Sequence, residues 1–311
     1  MKEPTTQAAV VRENVRLSPY TSWLVGGPAD FLVEPQSEED LSAGIAFGCE
    51  RGLPITILGG GTNVLISDKG IRGLVIALKK FSGLSAEVRE GRLSIEALSG
   101  TSKSELLKTF LKNKLEPAIF LAGLPGDVGG GVVMNAGIGE MLKPREFVEI
   151  TDAVEVWNWN SDGQIQKKKM LAHELTWSYR HCEGWREAAG ASLIAKVWMS
   201  WPHEPKEDVL SRVRSANQVR LTKQPLDMPS CGSVFVNPPG TSAGRVVEAA
   251  GLKGFAVGGA KVSEKHANFI VNTGAATASE IAQVIRHVQK TVREKAGIEL
   301  KTEVVWLGDW A

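Results

Sequence analysis

The segment Pro229-Ser230-Cys231-Gly232-Ser233-Val234-Phe235-Val236-Asn237-Pro238-Pro239 sets one hydroxyl at the mouth of a short apolar strand that two prolines end. Proline fixes φ and glycine lets the backbone approach a neighbour closely, so Ser233 is presented in a fixed orientation. From spacing alone the favoured reading is a tight turn into a buried strand, and only the company of other residues shifts it toward a functional hydroxyl. Two glycine loops come next. Gly59-Gly60-Gly61-Thr62-Asn63 follows an apolar strand, but Val64-Leu65-Ile66 continues as β-like sequence. A dinucleotide turn of the Rossmann kind must open a helix, and no Gly-Lys-Ser/Thr phosphate loop is present. Alone, this loop reads as a plain turn. The run from Gly123 to Gly139 carries more weight. Successive backbone N–H groups over Gly123-Leu124-Pro125-Gly126-Asp127-Val128-Gly129-Gly130-Gly131, bare of Cβ cover, predict an anion nest that suits a pyrophosphate. Pro125 and the apolar flanks argue for an ordered loop, and Asn135 adds a polar side chain among small residues. Two such loops favour a dinucleotide over coincident turns.

Tyr179-Arg180 follows Trp177 and precedes the Trp185 loop. The commoner fate of an arginine there is a surface charge; the alternative is a fixed cation for an oxyanion. Glu303 sits in the alternating run Leu300 to Leu307 and points either to solvent or into a site. Basic residues number 36 and acidic ones 35, for a formal charge of +1. That balance argues against a nucleic-acid binder. Lys167-Lys168-Lys169 reads as a solvated hairpin edge. Six of the nine tryptophans lie between Trp157 and Trp201 and read as core and edge packing. No apolar run reaches the ~18 residues of a spanning helix, and Met1 to Leu17 has no secretory apolar region. Cys49, Cys182 and Cys231 are widely spaced and odd in number, which fits a reduced, cytoplasmic protein without disulfides. They and five scattered histidines complete no metal site.

The elements that must position these groups are readable. At 311 residues, two or three lobes are expected, burying roughly three-quarters of the unfolded surface. A strand Ala29–Glu34 precedes a helix capped by Ser37, with Leu41, Ile45 and Cys49 on its core face and Gly52 at its end. Short strands follow at Pro54–Leu58 and Leu74–Leu78. Hairpins turn at Glu90-Gly91 and Ser161-Asp162-Gly163, and Ser102 with Glu105 predicts a capping box. Leu193 to Trp201 reads as a strand packed on both faces. After His203-Glu204-Pro205 comes an α+β lobe of about a hundred residues. It holds a helix with Val209, Val213 and Ala216, the Ser233 strand, a helix ending at Gly251, and a strand Asn268–Asn272. A long helix opened by Thr277-x-x-Glu280 carries Ile281, Val284, Ile285, Val288 and Val292 on one face, and Leu300 to Leu307 closes the lobe as a strand.

Eight motifs occur in one order: Gly59 to Asn63, Gly123 to Gly130, Met134 to Gly137, Tyr179-Arg180, Lys223-Gln224-Pro225-Leu226, Cys231 to Phe235, Lys265 to Phe269, and Glu303-Val304. The set resembles the UDP-N-acetylenolpyruvoylglucosamine reductase family of peptidoglycan precursor synthesis, over roughly Tyr20 to Leu307. With no insertion after Tyr179-Arg180, the chain looks like the shorter, type II form. The resemblance implies an α+β fold: a tail (1–19), a two-part FAD-binding domain of the vanillyl-alcohol-oxidase/PCMH type (20–202, parts about 20–80 and 81–202), and a smaller α+β substrate domain (203–311). It implies non-covalent FAD, held by Gly59, Gly60, Gly61, Thr62, Asn63, Gly123, Pro125, Gly126, Gly129, Gly130, Asn135, Ala136 and Gly137, with NADPH as co-substrate. Arg180, Ser233 and Glu303 fall on the family's catalytic positions. Tyr179, Lys223, Asn237 and His266 fall at or near positions that contact the UDP-sugar. The implied reaction passes hydride from reduced flavin to the enolpyruvyl ether and a proton from Ser233. No metal, membrane or nucleic acid is implied, and a monomer is expected. One departure is Cys182, where the family usually has serine. A thiol is a poorer hydrogen-bond donor, so looser flavin or Arg180 anchoring is expected if that serine has an anchoring role. Two other readings remain: an FAD-linked oxidase or dehydrogenase of the same superfamily, and a catalytically silent binding module.

Overall fold

The computed structural model describes residues 10–138, 143–186 and 191–310; Gly139, at the end of the glycine-rich run, lies outside them. The chain forms two compact units. The first comprises residues 1–13, 30–60 and 73–217, the second residues 14–29, 61–72 and 218–311.

In the first unit, helix α1 (Glu38–Glu50) starts where Ser37 accepts the Asp40 N–H. Leu41 and Ile45 are fully buried, and Cys49 is half-buried. The strands Ile55–Leu58 and Ile71–Ala77 pair in parallel, in a four-stranded sheet with Arg12–Arg16 and Pro28–Val33. A second, five-stranded antiparallel sheet runs in the order Leu84–Arg89, Arg92–Leu98, Ala191–Pro202, Thr151–Trp159, Ile165–Leu171. Its central strand, Ala191–Pro202, holds the expected apolar run, with Leu193, Ile194, Ala195, Val197 and Met199 buried. Lys167 and Lys169 lie on the edge strand, over the Trp157 and Trp198 rings at 4.1 and 4.0 Å. They are therefore stacked cations as well as a solvated edge.

Helix α2 (Lys103–Lys112) begins where Ser102 accepts the Glu105 N–H. It packs with α3 (Pro117–Leu121) and α4 (Val128–Val133) over the core of Phe110, Phe120 and Phe147. Helix α4 corrects the expectation of an open loop from Gly123 to Gly131. Three glycines lower helix propensity there, yet Asp127 caps the N-terminus by accepting the Gly130 N–H at 2.6 Å. Glycine is needed for close packing: a Cβ on Gly129 would sit 2.7 Å from Ser99 Cβ, and one on Gly131 would collide with the Phe147 ring. Helix α5 (Val209–Lys223) buries Val209 and Val213.

The second unit is a four-stranded antiparallel sheet, in the order Ser230–Gly232, Phe269–Asn272, Ala260–Val262, Ala256–Val257. Helices α6 (Ala243–Ala249) and α7 (Ala278–Ala296) accompany it. Thr277 and Glu280 form the full capping box of α7, and Gly297 ends it in the left-handed region. Ile281, Val284, Ile285, Val288 and Val292 are all 0% exposed, as the 3.6-residue spacing predicts. The closing strand is shorter than expected. Only Val305–Leu307 pairs, in parallel with Val64–Ile66. Glu303 therefore precedes the strand, in a segment tied down by backbone and side-chain hydrogen bonds. Among the described residues no helix is long and apolar enough to cross a membrane.

Candidate active site

Ser233 follows directly on the strand Ser230–Gly232, and three hydrogen bonds from Asn268 fix the backbone beyond it. The Asn268 carbonyl accepts the Val234 N–H at 2.9 Å. Its side chain accepts the Phe235 N–H and donates to the Phe235 carbonyl, both at 2.8 Å. The close approach that Gly232 permits is to protein: a Cβ there would lie 2.5 Å from the Phe269 ring. Ser233 lines a cavity of about 280 Å3 with Asn237, Arg245, Lys265, His266 and Asn268. Arg245 and Lys265 bring two positive charges against the Glu248 carboxylate on the same wall, so the cavity suits an anionic ligand.

Glu303 is held beside Ser233 by its backbone. Its N–H donates to the Val234 carbonyl at 2.8 Å, and Phe235 bridges Thr302. Asn63 Nδ2 donates to the Glu303 carbonyl at 3.0 Å, and the Asn63 carbonyl accepts the Val305 N–H. Oε2 of Glu303 is shut off from solvent. Cys231 Sγ donates to the Thr62 carbonyl at 2.8 Å. Burial and then the Glu303 charge push the Cys231 thiol well above its usual range. Thr62 and Asn63 thus brace the two segments that carry Ser233 and Glu303. Gly61 is φ +65°, and a Cβ there would collide with the Tyr20 carbonyl.

Asn237 accepts the Ala243 N–H at the start of α6, which keeps Arg245 on the cavity wall. His266 Nδ1 accepts the Asn268 N–H at 3.2 Å, leaving the proton of the neutral ring on Nε2. Burial lowers the His266 pKa, and the Lys253 and Lys223 charges add to this against an opposing backbone hydrogen bond and Glu248. Lys223, at the exposed end of α5, thereby acts on the cavity through its charge. A folded-state pKa below the unfolded one means that neutral His266 contributes stability above the unfolded value, lost as pH falls through the folded one. A proton NMR titration is expected to give His266 a midpoint below that of a free imidazole; a midpoint at or above it would contradict this environment. Arg245 was not singled out from sequence, whereas Lys265 and Asn268 lie within the Lys265 to Phe269 motif but had no role assigned. A local signal for Arg245 is Ser242, which caps α6 by accepting the Arg245 N–H.

In the first unit, Tyr179-Arg180 is the turn of the hairpin Thr176–Ser178/His181–Glu183. Arg180 is at φ +59°, a costly region for a side chain and one that clusters at functional sites. Its Nη2 donates to the Gly137 carbonyl at 2.8 Å, Nη1 lies 3.8 Å from Glu146 Oε1, and its guanidinium covers the Tyr179 ring. Asn135 is 1% exposed. Its side chain donates to Glu146 Oε2 and the Ser178 carbonyl and accepts the Val148 N–H. It thus clamps the Arg180 hairpin to the Ala136–Gly137 segment. Cys182 packs in the apolar core beside Trp185, and burial pushes its thiol up to about 12. At this position the side chain serves the core.

The glycine loops meet at Gly60 and Gly126, where a Cβ on Gly60 would lie 3.2 Å from Gly126 Cα. The two loops pack against each other there with the Asp127 carboxylate between them, 2.6 Å from where a Gly59 Cβ would sit, so a side chain on either loop would push them apart. Asp127 accepts the Gly60 N–H with one carboxylate oxygen and the Gly130 N–H with the other. Nearby, Lys103 Nζ donates to the Pro125 carbonyl at 2.8 Å. The expected nest of bare amides is corrected here. The N–H groups of Val128, Gly129, Gly130 and Gly131 go to Thr101, Ser99 and Asp127 oxygens. What fits a dinucleotide is the Cβ-free backbone of the two glycine loops where they meet at Gly60 and Gly126, with the buried Lys103 ammonium anchored on the Pro125 carbonyl.

Known proteins bear on this arrangement. Residues 29–167 match the FAD binding domain family, and residues 224–307 match the family described as UDP-N-acetylenolpyruvoylglucosamine reductase, C-terminal domain. The chain is 39% identical to the UDP-N-acetylenolpyruvoylglucosamine reductase of Caldanaerobacter subterraneus subsp. tengcongensis, over 95% of this chain and 93% of that one. The same figures hold for the reductase of Moorella thermoacetica. The crystal structure of the Thermus caldophilus reductase superposes with a TM-score of 0.75 at 32% identity, covering 96% of this chain and 100% of that one. With relatives this similar across nearly the whole length, and with Ser233, Glu303 and Arg180 each held in place by its neighbours, the chain belongs to the UDP-N-acetylenolpyruvoylglucosamine reductase family.

Proposed function

We propose that this chain is the FAD- and NADPH-dependent reductase that converts UDP-N-acetylglucosamine enolpyruvate to UDP-N-acetylmuramate in peptidoglycan precursor synthesis. The observation that carries the reading is Ser233 at the wall of a cavity bearing Arg245, Lys265 and His266, with the Glu303 backbone bonded next to it. The substrate has a pyrophosphate and a carboxylate, so cationic walls favour it. FAD, when bound, carries hydride from NADPH to the methylene carbon of the enolpyruvyl group.

The chain's own residues manage charge and protons. Hydride arrival at the methylene carbon drives electrons onto the α-carbon and its carboxylate. Arg180, together with Glu303 in its protonated form, orients and stabilises that carboxylate. Ser233 Oγ gives its proton to the α-carbon, completing the lactyl ether, and takes a proton back from solvent. Serine is a weak acid, so the transfer needs a basic carbanion and a fixed donor, and the Asn268 bonds supply the fixing. Tyr179, Lys223, Asn237 and His266 contact the UDP-sugar. Residues 20–202 hold FAD, non-covalently, through the glycine loops. Asn135 supports that domain indirectly, by holding the hairpin. The three cysteines are free thiols, which suits a monomer working in the reducing cytoplasm.

The test begins with the absorbance spectrum of the purified protein, expected to show bound flavin. NADPH absorbance is then followed with and without the enolpyruvyl UDP-sugar. Oxidation of NADPH that depends on the sugar is the expected result. NADPH loss indifferent to the sugar, with oxygen uptake on simple alcohols, would place the chain among flavin oxidases instead.

A further inference from the structure

Lys103 is a buried cation that the proposed reaction does not use. It is 6% exposed, and Asp127 is 5% exposed. Their segments run side by side: the Lys103 N–H donates to the Gly126 carbonyl at 3.0 Å and the Val128 N–H to the Thr101 carbonyl at 2.9 Å. A buried charge is tolerable only where another answers it, and Asp127 is the charge that offsets the burial of Lys103. Asp127 joins the two glycine loops through Gly60 and Gly130. A bare carboxylate there would repel any phosphate brought to the same loops.

We propose that Lys103 is a positioning residue for the FAD pyrophosphate, acting by neutralising Asp127 so that the carboxylate can tie the loops together without repelling the cofactor. This rests on the placement of the pyrophosphate at the glycine loops. The charges facing the pair are few. Lys103, from α2, meets Asp127 and Arg180, and Arg180 is itself beside Glu146. Burial is the largest influence on both members: it lowers Lys103 to about 8 and raises Asp127. Lys103 Nζ also lies 5.4 Å from the Phe147 ring, a contact that favours its charged form.

The test is the FAD dissociation constant of apoprotein, read by flavin fluorescence across pH. In the native protein, affinity is expected to be flat below pH of about 8 and to weaken above it, as Lys103 gives up its proton. Lys103→Met should weaken FAD binding at least ~10-fold near neutral pH, the scale of an unpaired buried charge. Its affinity should then recover as pH falls and Asp127 is protonated, which a purely structural loss would not produce. Adding Asp127→Ser removes the carboxylate and keeps an oxygen for the Gly130 N–H. The double variant should lose the weakening at high pH, whatever affinity the missing tie to Gly60 costs, because no buried charge is left to be unmasked. If Lys103→Met does not fold, the double variant decides alone. Affinity that is flat with pH supports the pair, and a retained weakening above pH of about 8 overturns it. Phosphorus NMR of bound FAD separates the two levels. Pyrophosphate resonances unmoved in the double variant would overturn the placement at these loops along with the proposal. Resonances that move while single-variant affinity stays native would overturn only the role of Lys103.

Discussion

Ser233→Ala is expected to leave reduction of the bound flavin by NADPH at its native rate and to slow reoxidation by the enolpyruvyl UDP-sugar at least ~10²-fold, the usual cost of losing a general acid. The separation follows from where the proton is needed. Nothing in the NADPH step requires a proton from Ser233. In the sugar step, hydride on the methylene carbon leaves an α-carbanion that collapses back unless protonated. The substitution is mild for the fold. Val234 and Phe235 keep their bonds to Asn268, and the Ser233 side chain lies on a cavity wall. Stopped-flow measurement of each half-reaction checks the prediction. Equal slowing of both halves would show that Ser233 supports the site without donating the proton. A native rate in both would remove it from the chemistry altogether.

How much of this is legible in the sequence depends on the range of the interaction. Helix α7 was readable because its five core residues repeat at the helical period and its cap lies within four residues. The hairpin at Glu90-Gly91 was readable because both residues take positive φ, where glycine and a short tight turn leave local traces. Helix α4 was missed because glycines hide a helix from propensity, although Asp127 stood at the cap position. The support of the site was not legible at all. Asn63 meets Glu303 across 240 positions, and Gly60 meets Asp127 across 67. Neither contact has a local signature, because the partners are chosen by the fold. For the same reason Asn135, expected as a cofactor contact, gave no hint that its amide would be spent on Glu146, Ser178 and Val148.

Arg180→Lys should show whether that hairpin geometry matters or only its charge. Both residues carry a positive charge, but only the guanidinium presents a planar fork. In the native turn that fork reaches the Gly137 carbonyl while lying near Glu146. Lysine would bring one rotatable ammonium on a flexible stem and lose the fixed direction. An oriented donor facing developing negative charge typically contributes ~10²–10³ in rate. The sugar half-reaction of Arg180→Lys is therefore expected to fall about 10²-fold, with flavin reduction by NADPH near native. The strained backbone gives a control. Arg180→Gly relieves the φ of +59° while removing the cation, so it should melt no lower than native and yet be slower in the sugar step than Arg180→Lys. If Arg180→Lys were as fast as native, a bare charge would suffice, and the turn that holds Arg180 at positive φ would have no catalytic reason to exist. If Arg180→Gly lost flavin as well as rate, the hairpin would belong to the cofactor's support, with Asn135 and Glu146, ahead of any role on the substrate carboxylate.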